Sequence, residues 1–323
     1  MTTLPATTDY LAPPQRVPPT GFRRALAFAL SSPRVVIGGA VLLAILVACF
    51  GSLPWTTDTA SVMSYERPDA TRIRKPPSLS DPMMLFGTDT AGRSVLARSL
   101  FGGTISLAVG LAAATIAVLL GVGVGLLAGF RGGWVDALLM RIVDVLYGLP
   151  YILTILMFKI ALEPALRQVF SQSTASLVVM FLAIGLVSWL TMARVVRGQV
   201  LSIRSQPFIE AARAVGLPER RIFFRHILPQ LVGPITVYAT LTIPQAILQE
   251  SFLSFLGVGV DPTLPTWGSL ASENRLAALN VINPQWWMLL FPCILLALTL
   301  LSLNFLGDGL RDLFDPKREG AKL

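Results

Sequence analysis

The sequence predicts an all-α polytopic membrane protein with six spans. Of its 323 residues, 54% are hydrophobic and only 14% charged, the mean hydropathy is +0.67, and apolar runs long enough to cross a bilayer alternate with polar connections. In a soluble chain, a net charge of +8 and a pI near 10.1 would point to nucleic acid. Basic loops on the cytoplasmic side of a membrane account for the excess more simply. Cys49 and Cys293 both lie inside apolar runs, so no disulfide framework is indicated. A single histidine, His226, and the lack of a cysteine cluster exclude HExxH and structural zinc patterns, and no metal or cofactor is expected in the chain itself.

Residues 1–33 are polar and rich in proline, and Arg16, Arg23, Arg24 and Arg34 precede the first apolar run; this predicts a cytoplasmic tail, with a short interfacial helix at 18–30. Residues 34–53 form the first span. Within it, Leu46-Val47-Ala48-Cys49 has the look of a lipoprotein cleavage box, but it follows a long tail and precedes several more spans, so it reads as membrane helix with a chance cysteine. Residues 54–101 make an extracytoplasmic segment ending in FGTDTAGRSVLARSLFGG, in which Gly87, Asp89 and Gly92 form a turn cluster and 94–101 an interfacial helix.

Residues 102–310 then form a core of five helices. The second span, about 104–130, places Gly110, Ala114, Ala117, Gly121, Gly125 and Gly129 on one face, the spacing of helix-on-helix packing in membranes. The same letters hold a formal GxGxxA match at Gly123, Gly125 and Ala128, but no strand precedes it and no βαβ unit fits. A third span, 134–160, starts in the interface with Asp136, Arg141 and Asp144. Either acid can pair with Arg141 along the helix; alternatively Asp144 faces a translocation path. After an outer loop at 161–174 comes the fourth span, 175–192, and the basic residues Arg194, Arg197 and Arg204.

Residues 204–229, RSQPFIEAARAVGLPERRIFFRHILP, read as helix, turn, helix. Pro207 and Pro218 each suit a first helical position, Gly216 suits a left-handed stop, and Glu210 sits in a first turn where the helix dipole favours an anion. The fifth span, 231–256, carries Pro234 and Pro244 as expected kinks. Near its outer end Glu250 is either a substrate-path residue or a buried hydrogen-bond anchor for the next loop. A loop at 257–285 and an aromatic belt at Trp286 and Trp287 lead to the sixth span, 288–306, and the cytoplasmic tail 311–323. Seventeen of the 26 Lys and Arg residues fall in segments 1–34, 131–141, 194–229 and 307–323, so both termini and the hairpin are expected in the cytoplasm.

At Glu210-Ala211-Ala212, Gly216 and Leu228-Pro229 the hairpin resembles the EAA loop of bacterial ABC importer permeases, matching it over twenty positions. Three more stretches resemble the peptide-importer branch: FGTDTAGRSVLARSLFGGTISLAVG, ESFLSFLGVGV followed by PTWG, and NFLGDGLRDLFDP. The first span with its long outer segment is similar to the C-type subunit of dipeptide, oligopeptide and nickel importers. The resemblance implies a type I importer (MetI-like) fold and an inner-membrane location. It also implies a homologous second permease, two cytoplasmic P-loop ATPases that bind ATP and Mg, and an extracytoplasmic solute-binding protein. By position, Glu210 would bond a polar group in a groove on the ATPase, Ala211 and Ala212 would allow close approach, and Gly216 would set the turn. The chain has no GxxxxGK[ST] loop of its own, so it is not expected to be an enzyme. The main expectation is therefore a peptide importer working by alternating access. The alternatives are a nickel or other small-solute importer of the same family, and an ion-coupled secondary transporter whose only candidate carboxylates are Asp144 and Glu250.

Overall fold

A computed structural model describes residues 32–59, 61 and 63–314. The expected helix at 18–30 and residues 315–323 of the C-terminal tail lie outside the described residues. Helix α1, Pro33–Gly51, opens with proline in its first turn, where the missing N–H costs nothing. It lies against the last helix of the chain, α10, Trp287–Phe314. The polar segment that follows turns back over the bundle and enters α2, Val95–Arg131. The Ser94 hydroxyl caps this helix by accepting from Ala97 N–H at 3.3 Å. The expected interfacial helix at 94–101 and the second span are thus one 37-residue helix.

The third span departs from expectation. It is two helices, α3 at Gly133–Tyr147 and α4 at Tyr151–Leu166, bent by 94° at the break. Pro150 has no N–H to continue α3 and biases Leu149 away from helical geometry. The acids of α3 also pair differently from expectation. Asp136 takes a bidentate ion pair from Arg197 at 2.5 and 2.7 Å, and Asp144 receives Arg194 at 2.8 Å; both arginines belong to α5, Gln172–Arg204. Much of the outer loop expected at 161–174 is helical, because α4 continues to Leu166.

Helices α2 and α5 share the longest seam. A Cβ added at Gly121 would lie 2.5 Å from Met192 Cβ, one at Gly125 2.6 Å from the Ala193 carbonyl oxygen, and one at Gly129 2.7 Å from Val200 Cβ. The two backbones approach where side chains are missing, which favours dispersion contact in lipid, where no hydrophobic drive exists. Helix α6, Pro207–Ala214, and the single turn α7, Glu219–Ile222, form the hairpin; five π-helical residues, Phe223–Ile227, connect it to α8, Leu228–Phe255. Pro234 and Pro244 are both accommodated within α8.

The loop expected at 257–285 contains a helix, α9, Trp267–Ala278. Thr266 and Ser269 form a reciprocal capping box at its start, with serine in the place where Glu or Gln is usual, so its signature is weak. The described residues contain no β-strand; five helices are long and apolar enough to span a membrane, and the bent pair α3 and α4 makes a sixth. The hairpin and the α9 layer sit at opposite ends of this bundle.

Candidate functional site

The hairpin is fastened before it begins. Arg204, at the end of α5, donates from Nη1 to the carbonyls of Gly129 at 2.8 Å and Phe130 at 2.9 Å, covering two orphan acceptors at the end of α2 and locking the two helix ends together. Pro207 then starts α6. At its other end Leu217 N–H bonds the Ala212 carbonyl at 3.1 Å and Gly216 N–H bonds that of Arg213 at 2.9 Å. This is a Schellman stop, and Gly216 takes the positive φ of 81° that it requires. Arg213 bridges the two arms through Nε to Glu219 at 2.9 Å. At the return into the bundle Pro229 lacks the N–H that would bond Arg225, and the preceding turn widens to π geometry.

The hairpin has two faces. Ile209, Ile222 and Ile227 are fully buried and pack with Leu231 of α8 and with Met192, Val196, Val200 and Ile203 of α5; Ala212 and Leu217 border the same cluster. Glu210, Ala211, Ala214 and Gly216 face outward, beside Phe208, Phe224 and Val215, the last 82% exposed. The two alanines of the motif thus lie on different sides, Ala211 on the open face and Ala212 against the core. Leu228 is partly buried at the root of α8 and Pro229 is exposed beside it. Arg220, Arg221 and Arg225 surround the apolar patch with positive charge. An apolar patch with a cationic rim, one carboxylate at a helix N-terminus and a rigid base has the make-up of a docking surface. The outward Phe208 and Val215 escaped the sequence reading, which followed only the motif letters; their flanking of the motif on an amphipathic helix was the available signal.

The other candidates lie elsewhere. Asp144 is near the α3–α4 break, its side chain 60% exposed and paired with Arg194. Glu250 has no exposure and accepts from Ser254 at 2.7 Å, Ser106 at 3.0 Å and Ser251 at 3.3 Å. Because the Ser106 hydroxyl also accepts from Trp267 N–H at 3.3 Å, the carboxylate ties α2 and α8 to the start of α9. Among the described residues no cluster of His, Cys, Asp and Glu is arranged to hold a metal ion.

At the end opposite the hairpin, an ion network missed in the sequence fixes α9. Buried Arg98 bonds Asp89 at 2.8 Å and Glu273 at 2.9 Å, and Arg93 reaches the same two carboxylates at 2.8 and 2.7 Å. Trp287, expected in an aromatic belt, is instead buried and donates from its indole to the Thr88 carbonyl at 3.2 Å. FGTDTAGRS is therefore a bracket between α2, α9 and α10.

Comparison with known proteins finds a family and relatives for the chain. Residues 121–320 match the family described as binding-protein-dependent transport system inner membrane component. The chain is 39% identical over 284 residues to the oligopeptide transport system permease protein OppC of Haemophilus influenzae, covering 88% of this chain and 85% of that one. It is 40% identical over 254 residues to the dipeptide transport system permease protein DppC of Bacillus subtilis, covering 79% of this chain and 74% of that one. Among solved structures, a chain of the MetNI methionine ABC transporter in an inward-facing conformation superposes with a TM-score of 0.54 at 20% identity, covering 73% of this chain and 99% of that one.

Proposed function

The chain belongs to the family of binding-protein-dependent transport system inner membrane components, and we propose that it forms half of a peptide path whose opening is driven through the hairpin by a cytoplasmic ATPase. It is a multi-pass membrane protein with the MetI-like permease fold, and it is not an enzyme: in an ABC transporter hydrolysis resides in partner subunits. Our reading adds two ATPases below, a homologous permease beside it and a solute-binding protein above, with both termini and the hairpin in the cytoplasm. ATP and Mg would be held by the ATPases. The excess of arginine at the hairpin end supports that orientation. Similarity to oligopeptide and dipeptide permeases supports a peptide as the solute.

The observation that carries the coupling role is the division of α6 into two faces, with Ile209 buried in the bundle and Glu210, Ala211, Val215 and Gly216 left open. A partner gripping the open face would move the buried one with it. The test separates strain from obstruction at Gly216, where an added Cβ meets nothing within 4 Å. Gly216→Ala imposes only the left-handed backbone cost, about 1 kcal/mol, and should retain most peptide uptake by the reconstituted complex. Gly216→Trp adds bulk on the open face and should abolish uptake, as should Glu210→Lys, while the permease remains folded. Normal uptake with a normal ATPase complex in Gly216→Trp would refute the coupling role. In liposomes without ATPases the chain should move no peptide under a proton or sodium gradient; gradient-driven uptake would establish an ion-coupled transporter instead.

A further inference from the structure

The break between α3 and α4 exposes something a lipid-facing span cannot leave exposed. Tyr147 and Leu149 are 52% and 47% exposed, and Gly148 and Pro150 are exposed with them. Gly148 N–H bonds the Asp144 carbonyl at 3.1 Å and Leu149 N–H bonds that of Leu146 at 3.2 Å, but the carbonyls of Tyr147, Gly148 and Leu149 accept no hydrogen bond from the described residues. Packing fixes the depth of the break. Below it, Val143 and Leu146 lie against Trp189 and Leu190 of α5; above it, Tyr151 and Ile155 lie among Ile184, Val187 and Met180. This is inside the apolar run of α5 that ends at Met192. Each unsatisfied carbonyl in hydrocarbon would cost several kcal/mol, so irregular backbone at this depth survives only where protein covers it or water reaches it.

A second observation chooses between those two. Asp144 and Arg194, next to the break, form an ion pair at 2.8 Å with side chains 60% and 38% exposed, and the Arg194 guanidinium lies 4.1 Å from the centre of the Tyr147 ring. One turn nearer the hairpin end of α5, Arg197 holds Asp136. Polar groups thus climb from Asp136 through Asp144 to the free carbonyls at 147–149. Burying an exposed ion pair under a second protein carries a desolvation penalty of several kcal/mol per ion, whereas water along the ladder satisfies every group on it.

We propose that the break at 147–150 and the Asp144–Arg194 pair line the aqueous path, and that the three free carbonyls accept hydrogen bonds from the backbone N–H groups of a peptide in transit. Such acceptors read the one feature every peptide shares and ignore its side chains. The inference rests on the peptide-importer reading for the identity of the solute, though not for the presence of water.

The test uses the complete reconstituted transporter with this chain's native thiols removed by Cys49→Ala and Cys293→Ser, and with single cysteines introduced at Leu149→Cys, Val145→Cys and, for comparison, Val47→Cys on the exposed face of α1. A charged, membrane-impermeant methanethiosulfonate reagent should consume the thiols of L149C and V145C but spare V47C. Transported peptide should slow the L149C reaction. If neither L149C nor V145C reacts in a complex that still imports peptide, lipid or a neighbouring subunit covers the break and the aqueous placement is overturned. If both react at a rate indifferent to peptide, the carbonyl contact is overturned. Peptide uptake by the wild-type complex is measured in parallel vesicles, so failure of the peptide reading registers there and not in the labelling.

Discussion

Glu250 shows how a single acidic side chain is tolerated near the end of a membrane helix. Its carboxylate is wholly buried, and three serine hydroxyls supply what water would otherwise have given. Ser106 spends its one proton on Glu250 and still offers a lone pair to Trp267 N–H. Glu250→Ala would leave three buried hydroxyls without this acceptor, at about 1–3 kcal/mol for each group left unpaired. Glu250→Gln keeps an acceptor oxygen and should cost much less. If the residue is an anchor, the apparent Tm of the purified complex falls in Glu250→Ala and largely recovers in Glu250→Gln; a role in the path would instead lower uptake with Tm unchanged. Asp261, in the loop between α8 and α9, is also buried, but its neighbours favour the ionised form. The Thr263 hydroxyl at 2.6 Å, then the Thr263 N–H at 2.9 Å, hold its carboxyl below the usual range, and Gln172 of α5 adds a bond at 2.7 Å. A depressed folded pKa means that the stabilisation is fully present above the unfolded value of about 3.9 and is lost as pH falls through the folded one. Protection of the amides in residues 257–266, taken as the intrinsic exchange rate divided by the observed rate at the same pH, should therefore fall on acidification below about pH 4, and Asp261→Asn should flatten that dependence. An unchanged acid response in Asp261→Asn would exclude this carboxylate as its source.

The α2–α5 seam makes a prediction of its own. At Gly125 a new Cβ would stand 2.6 Å from the Ala193 carbonyl and 2.8 Å from Val196 Cβ, both on a helix held by Arg204 at one end and by Gln172 at the other. The helices cannot simply slide apart, so Gly125→Val should cost about 1–3 kcal/mol or more of overpacking, read as a lower apparent Tm. Gly123, whose Cβ would meet nothing within 4 Å, is the matched control, and Gly123→Val should leave Tm nearly unchanged. This seam was legible in the sequence because small residues repeat at helical spacing within one run, and the Gly216 stop because a left-handed cap is a local requirement. The α3–α4 break was half legible: Gly148 and Pro150 stand in the middle of the run, but apolar length alone made it read as one span. The Arg98 bracket was not legible at all. Its partner Glu273 is 175 positions away, and only the folded chain brings α9 over α2. The same holds for Asp136 and Asp144, whose arginines lie on α5 rather than one turn along their own helix.

At the scale of the whole molecule, the hairpin can act as a lever only if it is stiffer than the contacts it must move. Helix α5 runs 33 residues, about 50 Å at 1.5 Å per residue, from the hairpin to the opposite end, where Gln172 and Ser173 bond Asp261 and Thr263 of the α8–α9 loop. The Lys159 ammonium of α4 bonds the Val258 carbonyl of that loop at 3.0 Å and the Gly259 carbonyl as well. A force on α6 therefore has a continuous route through Ile209, Ile222 and Ile227 into α5 and α8, and from there to the loops at the other end. Close-packed clusters transmit displacement, while a void absorbs it. Ile209→Ala removes the one fully buried side chain of α6 without touching the open face proposed to meet the ATPase, and the cavity should cost about 2–5 kcal/mol of local packing. The variant should still bind the ATPases, unlike Glu210→Lys, yet waste their turnover: peptide imported per ATP hydrolysed should fall several-fold while hydrolysis continues. Simultaneous measurement of uptake and phosphate release in proteoliposomes decides it. A wild-type ratio in Ile209→Ala would mean that motion reaches the membrane helices by another contact, and the buried isoleucines of the hairpin would then serve its folding alone.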